Sequence, residues 1–340
     1  MAIVLGIDGG GTKTTGVIAR ANGEVLAQAS VGATNPNSVG LDKVHEEFGS
    51  LFKKLQEIDD KAYRQVKHIF AGIAGASHPE TAKEIARILQ SVFVKMQDND
   101  TKITPHEEDV RVTVTHDAVS ALYSGTLGKE GIVQIAGTGA VAFGMTKDGK
   151  EGRVGGWGHL FSDHGSGYSL GRDALEKVFL SYDGHPVETM LTKKVLAHFD
   201  VKKEPDIIRA VYHQGEEKTK IAELSKIVFD AAELGDVVAK DIVAKNGEAL
   251  GKTIHLLIDK LFSDKLQQHG KIIVVLVGGL FHRFDLLKEY IAKGLGAQEK
   301  TVVFNLPKIP PVGGSVVGAL KAEQIEVKED FVSTFKATLE

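Results

Sequence analysis

Residues 8–13 read Asp-Gly-Gly-Gly-Thr-Lys and follow a short apolar run at residues 3–7. Consecutive glycines weaken a strand unless another group must approach the backbone closely. Their N–H groups can form a concave nest for phosphate oxygens, to which the Thr12 hydroxyl adds a donor. Asp8, at the end of the strand, can hold Mg²⁺ through water. A plain tight hairpin is the alternative, but it needs neither three glycines nor a carboxylate at its start. The stretch therefore predicts a phosphate-binding bend.

A second glycine bend, Gly137-Thr138-Gly139, lies between apolar runs at residues 131–136 and 140–146. Both bends follow the order strand, bend, strand, two-residue turn, with an offset of 128 residues between the bends and 126 between the turns. A matching order at a near-constant offset indicates duplication of a domain-sized unit. The two bends are then expected to face each other and clamp the β- and γ-phosphates of a nucleotide.

Asp117 comes two residues after the predicted strand at residues 110–115, and a helix is expected to follow. Open α/β sheets bind ligands in the crevice at the carboxyl ends of their strands. Asp117 as a helix N-cap is the structural alternative. A phosphoryl acceptor, however, needs a group that orients its hydroxyl and accepts the proton, which favours Asp117 as a base.

Residues 155–168 contain five glycines, the only tryptophan, Trp157, and Asp163. This composition is typical of a binding loop rather than of a core, and Asp163 is a candidate to hydrogen-bond sugar hydroxyls. His159 and His164 do not predict a metal site, because the sequence places no third ligand beside them.

Two further glycine pairs are candidates for the nucleotide site. Gly278-Gly279 follows the strand-like residues 272–277 and could let an adenine ring lie against the backbone, with a helix-start turn as the alternative. Gly313-Gly314-Ser315 is a similar candidate. The stretch at residues 247–253 resembles a P-loop, but it has three residues between its glycines and lies in a helical pattern, so the required context is absent.

The elements that must position these residues form a repeated pattern. Three strands are followed by alternating helices and strands, and the second bend begins the same order again. This order resembles the ribonuclease H-like half of an actin-type fold. The expected fold is therefore α/β, with two ribonuclease H-like (actin-like ATPase) domains and a cleft between them. The expected domains are residues 1–120 and residues 121–325 with a helical insertion, and the C-terminal helix 326–340 is a candidate to join the first.

The composition excludes several classes of protein. The chain has 340 residues, 42% hydrophobic and 25% charged, with a formal net charge of −4, so nucleic acid is not an expected partner. No apolar run approaches the roughly 18 residues of a membrane span, and the start lacks a signal-peptide pattern, so we expect a cytoplasmic protein with no membrane partner. Cysteine is absent, which excludes disulfides, thiolate catalysis and cysteine-held zinc or iron–sulfur sites.

On seven motifs the chain resembles the N-acetylglucosamine kinase branch of the BadF/BadG/BcrA/BcrD ATPases, within the actin-like ATPase and sugar kinase superfamily. The motifs occur in family order along nearly the whole chain: IDGGGTKT, TNPNS, THDA, AGTGA, GGWGHLFSDHGSGY, VGGLFHR and PVGGSVVGA. The resemblance implies an ATP- and Mg²⁺-dependent kinase acting on a hydroxyl, expected to be O6, of an amino sugar. N-acetylglucosamine, glucosamine and N-acetylmuramic acid remain alternatives, and a homodimer is expected by analogy.

The resemblance also implies roles for single residues. Asp8 would position the metal ion, expected through water, and Asp117 would be the catalytic base. The implied sugar contacts are Asn35, Asp117, Gly156, Trp157 and Asp163. The implied nucleotide contacts are Gly10, Gly11, Thr12, Lys13, Gly137, Thr138, Gly139, Ala222, Gly278 and Gly279. His164 stands where relatives commonly have glutamate, which bears on the choice of sugar.

Other members of the superfamily offer competing functions. Activator ATPases of dehydratases and reductases hold an iron–sulfur cluster with cysteines, and repressor-related sugar kinases have a cysteine-rich zinc motif; a chain without cysteine fits neither. A nucleotide-binding regulator or ATPase without sugar turnover remains the alternative, and Asp117 and Asp163 argue against it.

Overall fold

The computed structural model describes residues 1–98, 110–212, 215–267 and 270–339. The chain divides into two compact units, Met1–Lys129 with Leu306–Glu340, and Glu130–Asn305. The domain boundaries expected from the sequence stay a prediction; this division assigns residues 121–129 and 306–325 to the first unit. In the described part of the chain, no helix has both the length and the apolarity that a bilayer span requires.

The first unit is built on a mixed sheet of five strands with the order β3-β2-β1-β4-β5. Its strands are β1 (Ile3–Gly9), β2 (Thr14–Arg20), β3 (Val25–Val31), β4 (Val66–Ile73) and β5 (Arg111–Thr115). β1 pairs antiparallel with β2 and parallel with β4. The two central strands, β1 and β4, are buried along most of their length, as continuous apolar runs predict.

Four helices belong to the N-terminal part of this unit as described: α1 (Pro36–Ile58), α2 (Asp60–Arg64), α3 (Pro79–Asp98) and α4 (Asp117–Thr126). α1 is kinked at Gly40, whose φ of 76° and ψ of 162° are not helical. Beyond the kink the apolar side chains recur at helical spacing and are buried, from Val44 and Phe48 to Leu55. Together with α3, this face forms the core on one side of the sheet.

The second unit repeats the topology of the first sheet. Its strands are β6 (Gly131–Ala136), β7 (Ala140–Met145), β8 (Glu151–Gly155), β9 (Ile272–Val277) and β10 (Val302–Asn305). They lie in the order β10-β9-β6-β7-β8, with β6 antiparallel to β7 and parallel to β9. The two sheets therefore correspond strand for strand, and the predicted α/β fold class is confirmed.

Helices fill the long insertion in the second unit. In the described residues between β8 and β9 they are α5 (Gly167–Tyr182), α6 (Leu191–His198), α7 (Glu204–Val211), α8 (Glu217–Glu233), α9 (Val237–Leu261) and α10 (Ser263–Gln267). A further helix, α11 (Phe284–Leu295), lies between β9 and β10. The P-loop-like stretch lies inside α9. A Cβ on Gly251 would lie 2.2 Å from the Ile291 carbonyl oxygen, so this glycine allows α9 and α11 to pack closely.

The chain then returns to the first unit as α12 (Pro311–Ala322) and α13 (Phe331–Thr338). The Gly-Gly-Ser motif lies within α12, where a Cβ on Gly314 would lie 1.9 Å from the Ser120 carbonyl oxygen. The Ser315 hydroxyl donates to the Ile7 carbonyl at 2.8 Å and lies 2.7 Å from the Ser120 hydroxyl. The motif therefore joins α12 to α4 and β1, and helix packing explains its glycines.

Candidate functional site

The first glycine bend connects β1 to β2. The Gly10 amide donates to the Lys13 carbonyl at 3.0 Å, and the Thr34 amide donates to the Gly10 carbonyl at 3.2 Å. A Cβ on Gly9 would lie 2.4 Å from the Thr34 hydroxyl, whereas a Cβ on Gly11 would meet no atom within 4 Å. Packing therefore requires glycine at position 9, while the space beside Gly11 is free to receive a ligand.

Asn35 lies next to this bend in the chain's first unit. It is the N-cap of α1, and its Oδ1 accepts a hydrogen bond from the Asn37 amide at 3.0 Å. Gly75, with a φ of 87°, approaches so closely that a Cβ there would lie 2.4 Å from Asn35 Oδ1. The adjacent Thr34 is bonded to Gly10, so the structure brings the predicted sugar-binding Asn35 close to the predicted phosphate bend.

Two carboxylates of the first unit influence each other electrostatically. Asp8 is half-buried at the end of β1, and Asp117 is the first residue of α4. Desolvation, followed by the negative charge of Asp117, raises the pKa of Asp8 to about 6. The Asp117 side chain is open to solvent, yet the surrounding protein removes part of its hydration, and this desolvation raises its pKa as well.

This carboxylate pair fits a magnesium ion. Mg²⁺ prefers oxygen ligands, keeps several of its waters and uses only one or two carboxylates. Desolvation and, after it, repulsion from Asp117 raise the pKa of Asp8, and a divalent cation would relieve this repulsion. Within the described ranges, no group of three or more His, Asp or Glu side chains could hold a metal ion, so any magnesium ligand set here depends on water and phosphate as well.

The second glycine bend joins β6 to β7 and is tied to the start of α5. The Gly137 amide donates to the Gly139 carbonyl at 2.9 Å, while the Gly137 carbonyl accepts from the Gly167 amide at 2.7 Å. A Cβ on Gly137 would meet nothing within 4 Å, but one on Gly139 would lie 2.9 Å from Asp163 Oδ2. As in the first bend, one glycine is required by its neighbour and another borders open space.

Asp163 lies beside this second bend. The residue is 4% exposed and its φ is 61°, a left-handed conformation that is unusual for a residue other than glycine. Lys218 Nζ, at the beginning of α8, lies 3.5 Å from Asp163 Oδ2. No sequence pattern predicts that Lys218 contacts Asp163, because only the tertiary fold brings α8 to this loop.

Trp157 and Gly156 occupy the loop that follows β8. The indole of Trp157 is 64% exposed, and the guanidinium carbon of Arg153 lies 4.0 Å from its ring centroid. Gly156 has a φ of 71°, and a Cβ there would lie 2.8 Å from a Val141 methyl group. A cavity of about 320 Å³ lies against this loop, with Trp157, Asp163 and His164 in its wall.

The remaining predicted nucleotide contacts of the second unit lie around the second bend. The Ala222 carbonyl, on α8, would be 3.1 Å from a Cβ on Gly167. Gly278 has a φ of 115°, and a Cβ there would lie 2.3 Å from the Ala136 carbonyl oxygen, whereas one on Gly279 would meet nothing within 4 Å. The backbone geometry after β9 therefore requires glycine at position 278 whether or not a ligand binds, whereas Gly279 borders free space.

Comparisons with known proteins agree over most of the chain. The model of the BadF/BadG/BcrA/BcrD ATPase family matches residues 5–319. An N-acetyl-D-glucosamine kinase of Dictyostelium discoideum is 34% identical over 86% of this chain and 89% of its own length. An N-acetylmuramic acid/N-acetylglucosamine kinase of Clostridium acetobutylicum is 29% identical over 91% of this chain and 93% of its own.

A solved structure agrees with the fold. The crystal structure of a proposed N-acetylglucosamine kinase from Chromobacterium violaceum superposes with a TM-score of 0.63, covering 93% of this chain and 98% of that one. The sequence identity is 21%, so this likeness concerns the fold alone.

Proposed function

The chain belongs to the BadF/BadG/BcrA/BcrD ATPase family, and on this premise we propose that it is an ATP-dependent kinase that phosphorylates an amino-sugar hydroxyl. Relatives of similar length carry the names of N-acetylglucosamine and N-acetylmuramic acid kinases, which makes N-acetylglucosamine the first candidate substrate. O6 is the proposed acceptor. The homodimer and the cytoplasmic location stay predictions.

One observation in the structure supports this function most directly. The Asp117 carboxylate, whose pKa is raised, belongs to the same unit as a glycine bend with open space at Gly11. A base is most effective when its pKa lies closer to the working pH, and phosphoryl transfer depends mainly on positioning and charge stabilisation. A base and a phosphate-binding bend in one unit are the two parts that a kinase needs.

In the proposed reaction, Asp117 accepts the proton of the sugar hydroxyl. The hydroxyl oxygen forms a bond to the γ-phosphorus, and the bond from that phosphorus to the β,γ-bridging oxygen breaks, so that ADP leaves. The N–H groups of Gly11 and Gly139, with the Thr12 and Thr138 hydroxyls and Lys13, bind phosphate oxygens. Gly10 and Gly137, whose N–H groups donate to the Lys13 and Gly139 carbonyls within the bends, shape the backbone that borders the phosphates. Ala222, Gly278 and Gly279 border the adenosine.

Asp8 would hold the magnesium ion, through water, and Asp117 is the other nearby carboxylate. When bound with ATP, Mg²⁺ supplies positive charge that stabilises the phosphates in the transition state. Asn35, Asp163, Gly156 and Trp157 bind the sugar: the first two offer hydrogen bonds, and the exposed indole offers an apolar face for the ring.

A coupled assay of ADP release tests the function. ATP turnover is measured with N-acetylglucosamine, glucosamine, N-acetylmuramic acid and glucose, each with and without EDTA. We expect at least one amino sugar to raise turnover well above the sugar-free rate, and EDTA to abolish the increase. If no sugar raises turnover while ATP still binds, the chain is a nucleotide-binding regulator instead.

Asp117→Asn tests the base. The variant should lower kcat by about 10²–10⁴-fold and leave the affinity for ATP nearly unchanged. Asp60→Asn is the matched control, because Asp60 also lies in the first turn of a helix, α2, and its contacts with Arg64 and Gln56 lie at the surface. Full activity in Asp117→Asn, or an equal loss in Asp60→Asn, would remove Asp117 from this role.

A further inference from the structure

The loop that carries Asp163 is anchored at two ends. On one side, the Gly167 amide donates to the Gly137 carbonyl at 2.7 Å, and the Tyr168 amide donates to the Thr138 carbonyl at 3.3 Å. On the other side, the Gly165 amide donates to Asn246 Oδ1 at 3.2 Å. The first contact binds the loop to a backbone bend, whereas the second depends on one side chain of α9.

Asn246 is buried, and the oxygen and the nitrogen of its side chain both make hydrogen bonds. It is 2% exposed, and its Nδ2 donates both to Asp173 Oδ2 at 3.1 Å and to the Ile242 carbonyl at 2.9 Å. Both of these partners are acceptors, so the amide can be oriented in one way only, with Oδ1 toward the Gly165 N–H. The neighbouring carboxylate thus decides which end of the amide faces the loop.

Asp173 is held in turn by two cations. It is 3% exposed; Arg172 donates to Oδ1 at 3.0 Å, and Lys245 lies 3.1 Å from Oδ2. Burial by itself disfavours the charged carboxylate, but the hydrogen bonds from Arg172, Lys245 and Asn246 together hold the pKa of Asp173 below its ordinary range. The carboxylate is therefore ionised at neutral pH and remains a hydrogen-bond acceptor for Asn246.

Two residues of this loop, Asp163 and Gly165, have left-handed backbone conformations that the anchor helps to hold. Gly165 has a φ of 80°, and it packs so closely on α9 that a Cβ there would lie 2.5 Å from Leu250 Cγ. Two residues earlier, Asp163 has a φ of 61°. A left-handed conformation at a residue other than glycine persists when the surrounding structure over-determines it, and the Asn246 hydrogen bond is one of the constraints.

We propose that Asn246, oriented by Asp173, is a positioning residue that fixes residues 163–167 and with them the Asp163 carboxylate. The kinetic part of this inference rests on the proposed function, because Asp163 is there a sugar contact. Asn246 touches neither reactant; it acts through the Gly165 amide. Loss of its hydrogen bond releases the loop and weakens sugar binding more than it slows the chemical step.

Asn246→Leu keeps a similar side-chain volume but removes the acceptor for Gly165. Hydrogen exchange measured by mass spectrometry should show about tenfold faster exchange in peptides that cover residues 163–167, with the first unit unchanged. In the sugar kinase assay, the KM for the sugar should rise about tenfold, with a smaller change in kcat. If the leucine variant does not fold, Asn246→Ala carries the same exchange test.

Two substitutions of Asp173 test whether it orients Asn246. Asp173→Asn retains an oxygen that accepts from Asn246 and should keep the KM for the sugar within about twofold of wild type, whereas Asp173→Leu should behave like Asn246→Leu. Asp236→Ala is the control for general destabilisation, because Asp236 is the N-cap of the same helix and also accepts from the Thr189 hydroxyl and the Met190 amide, so its loss costs about 2–4 kcal/mol. It should leave loop exchange and the KM for the sugar unchanged.

Unchanged exchange of residues 163–167 in Asn246→Leu would overturn the inference. An Asp236→Ala variant that loosens the loop and raises the KM for the sugar equally would also overturn it, since the effect would then follow stability alone. A wild-type protein without sugar-dependent turnover would instead refute the proposed function. In that case, the exchange result alone decides whether Asn246 fixes the loop.

Discussion

Asp8→Asn removes a carboxylate that is difficult to ionise in the folded chain. The pKa of Asp8 is raised from 3.8 to about 6 by desolvation and by the charge of Asp117, so the folded protein binds this proton more tightly than the unfolded chain does. Stability falls with rising pH wherever the folded state holds more protons. The Asp8 contribution to the free energy of unfolding should therefore fall between pH 3.8 and about 6 and stay low above that range.

The size of the effect follows from the shift. The difference between 3.8 and about 6 corresponds to at most about 3 kcal/mol, and screening by water at this half-buried side chain reduces it to about 1–2 kcal/mol. Asparagine has nearly the same shape and no charge. Asp8→Asn should therefore unfold with about 1–2 kcal/mol more free energy than wild type at about pH 7.5, and with nearly the same free energy at about pH 4.

Urea denaturation followed by far-UV circular dichroism measures this difference, at both pH values and without nucleotide or divalent cation. Because Asp117 is the second cause of the shift, Asp117→Asn should give part of the same stabilisation, and the double variant should gain less than the sum of the two. Asp148→Asn is the matched control: hydrogen bonding lowers the pKa of this exposed aspartate, so its removal should not stabilise the protein at neutral pH.

Two results would refute this reasoning. The first is an Asp8→Asn variant no more stable than wild type at about pH 7.5, and the second is an equal gain at both pH values. Addition of Mg²⁺ with ATP should narrow the gap, because the cation offsets the carboxylate charge only in the wild-type protein. A gap that stays the same while ATP binds would place the ion elsewhere.

The other predictions concern single contacts. Gly11→Ala should unfold like wild type, because its Cβ would meet nothing, but bind ATP about tenfold more weakly by calorimetry; unchanged ATP affinity would remove this bend from the nucleotide site. Gly278→Ala should lose about 2–4 kcal/mol in urea denaturation, because its φ is 115° and its Cβ would lie 2.3 Å from a carbonyl oxygen; retained stability would contradict so close an approach of the Ala136 carbonyl. Lys218→Met should raise the KM for the sugar about three- to tenfold by releasing Asp163. An equal rise in the control Lys220→Met, which removes contacts with Glu216 and the Ala210 carbonyl, would show that the Asp163 contact is not the cause.

The strands next to the two bends can be predicted because their signals are local. An apolar run that ends in glycine gives β1 and β6, and a two-residue turn such as Asn22-Gly23 closes the following hairpin. The sequence does not predict β8, because Glu151–Gly155 is polar, contains two glycines and lies at the edge of its sheet. Its pairing with β7 supplies the structure that its own residues do not encode.

Contacts between residues far apart in the chain cannot be predicted in this way. Lys218 and Asn246 look like ordinary helix residues, and only the packing of α8 and α9 brings them to Asp163 and Gly165. The buried charge of Asp173 likewise shows no local pattern, because two of its partners, Lys245 and Asn246, come from another helix. Sequence motifs therefore indicate the loop that is proposed to bind, but not the side chains that hold it in place.

The glycine motifs show the physical reason why tertiary contacts cannot be predicted from local sequence. Gly11 and Gly314 both stand in glycine runs, yet a Cβ would meet nothing at the first and would lie 1.9 Å from a backbone oxygen at the second. A glycine is required where its φ is positive, or where another atom occupies the space that a Cβ would take. That atom belongs to an element that only the tertiary fold brings close. Glycines with neither requirement, as at Gly11, Gly137 and Gly279, are therefore the positions where we propose that a ligand takes up the free space.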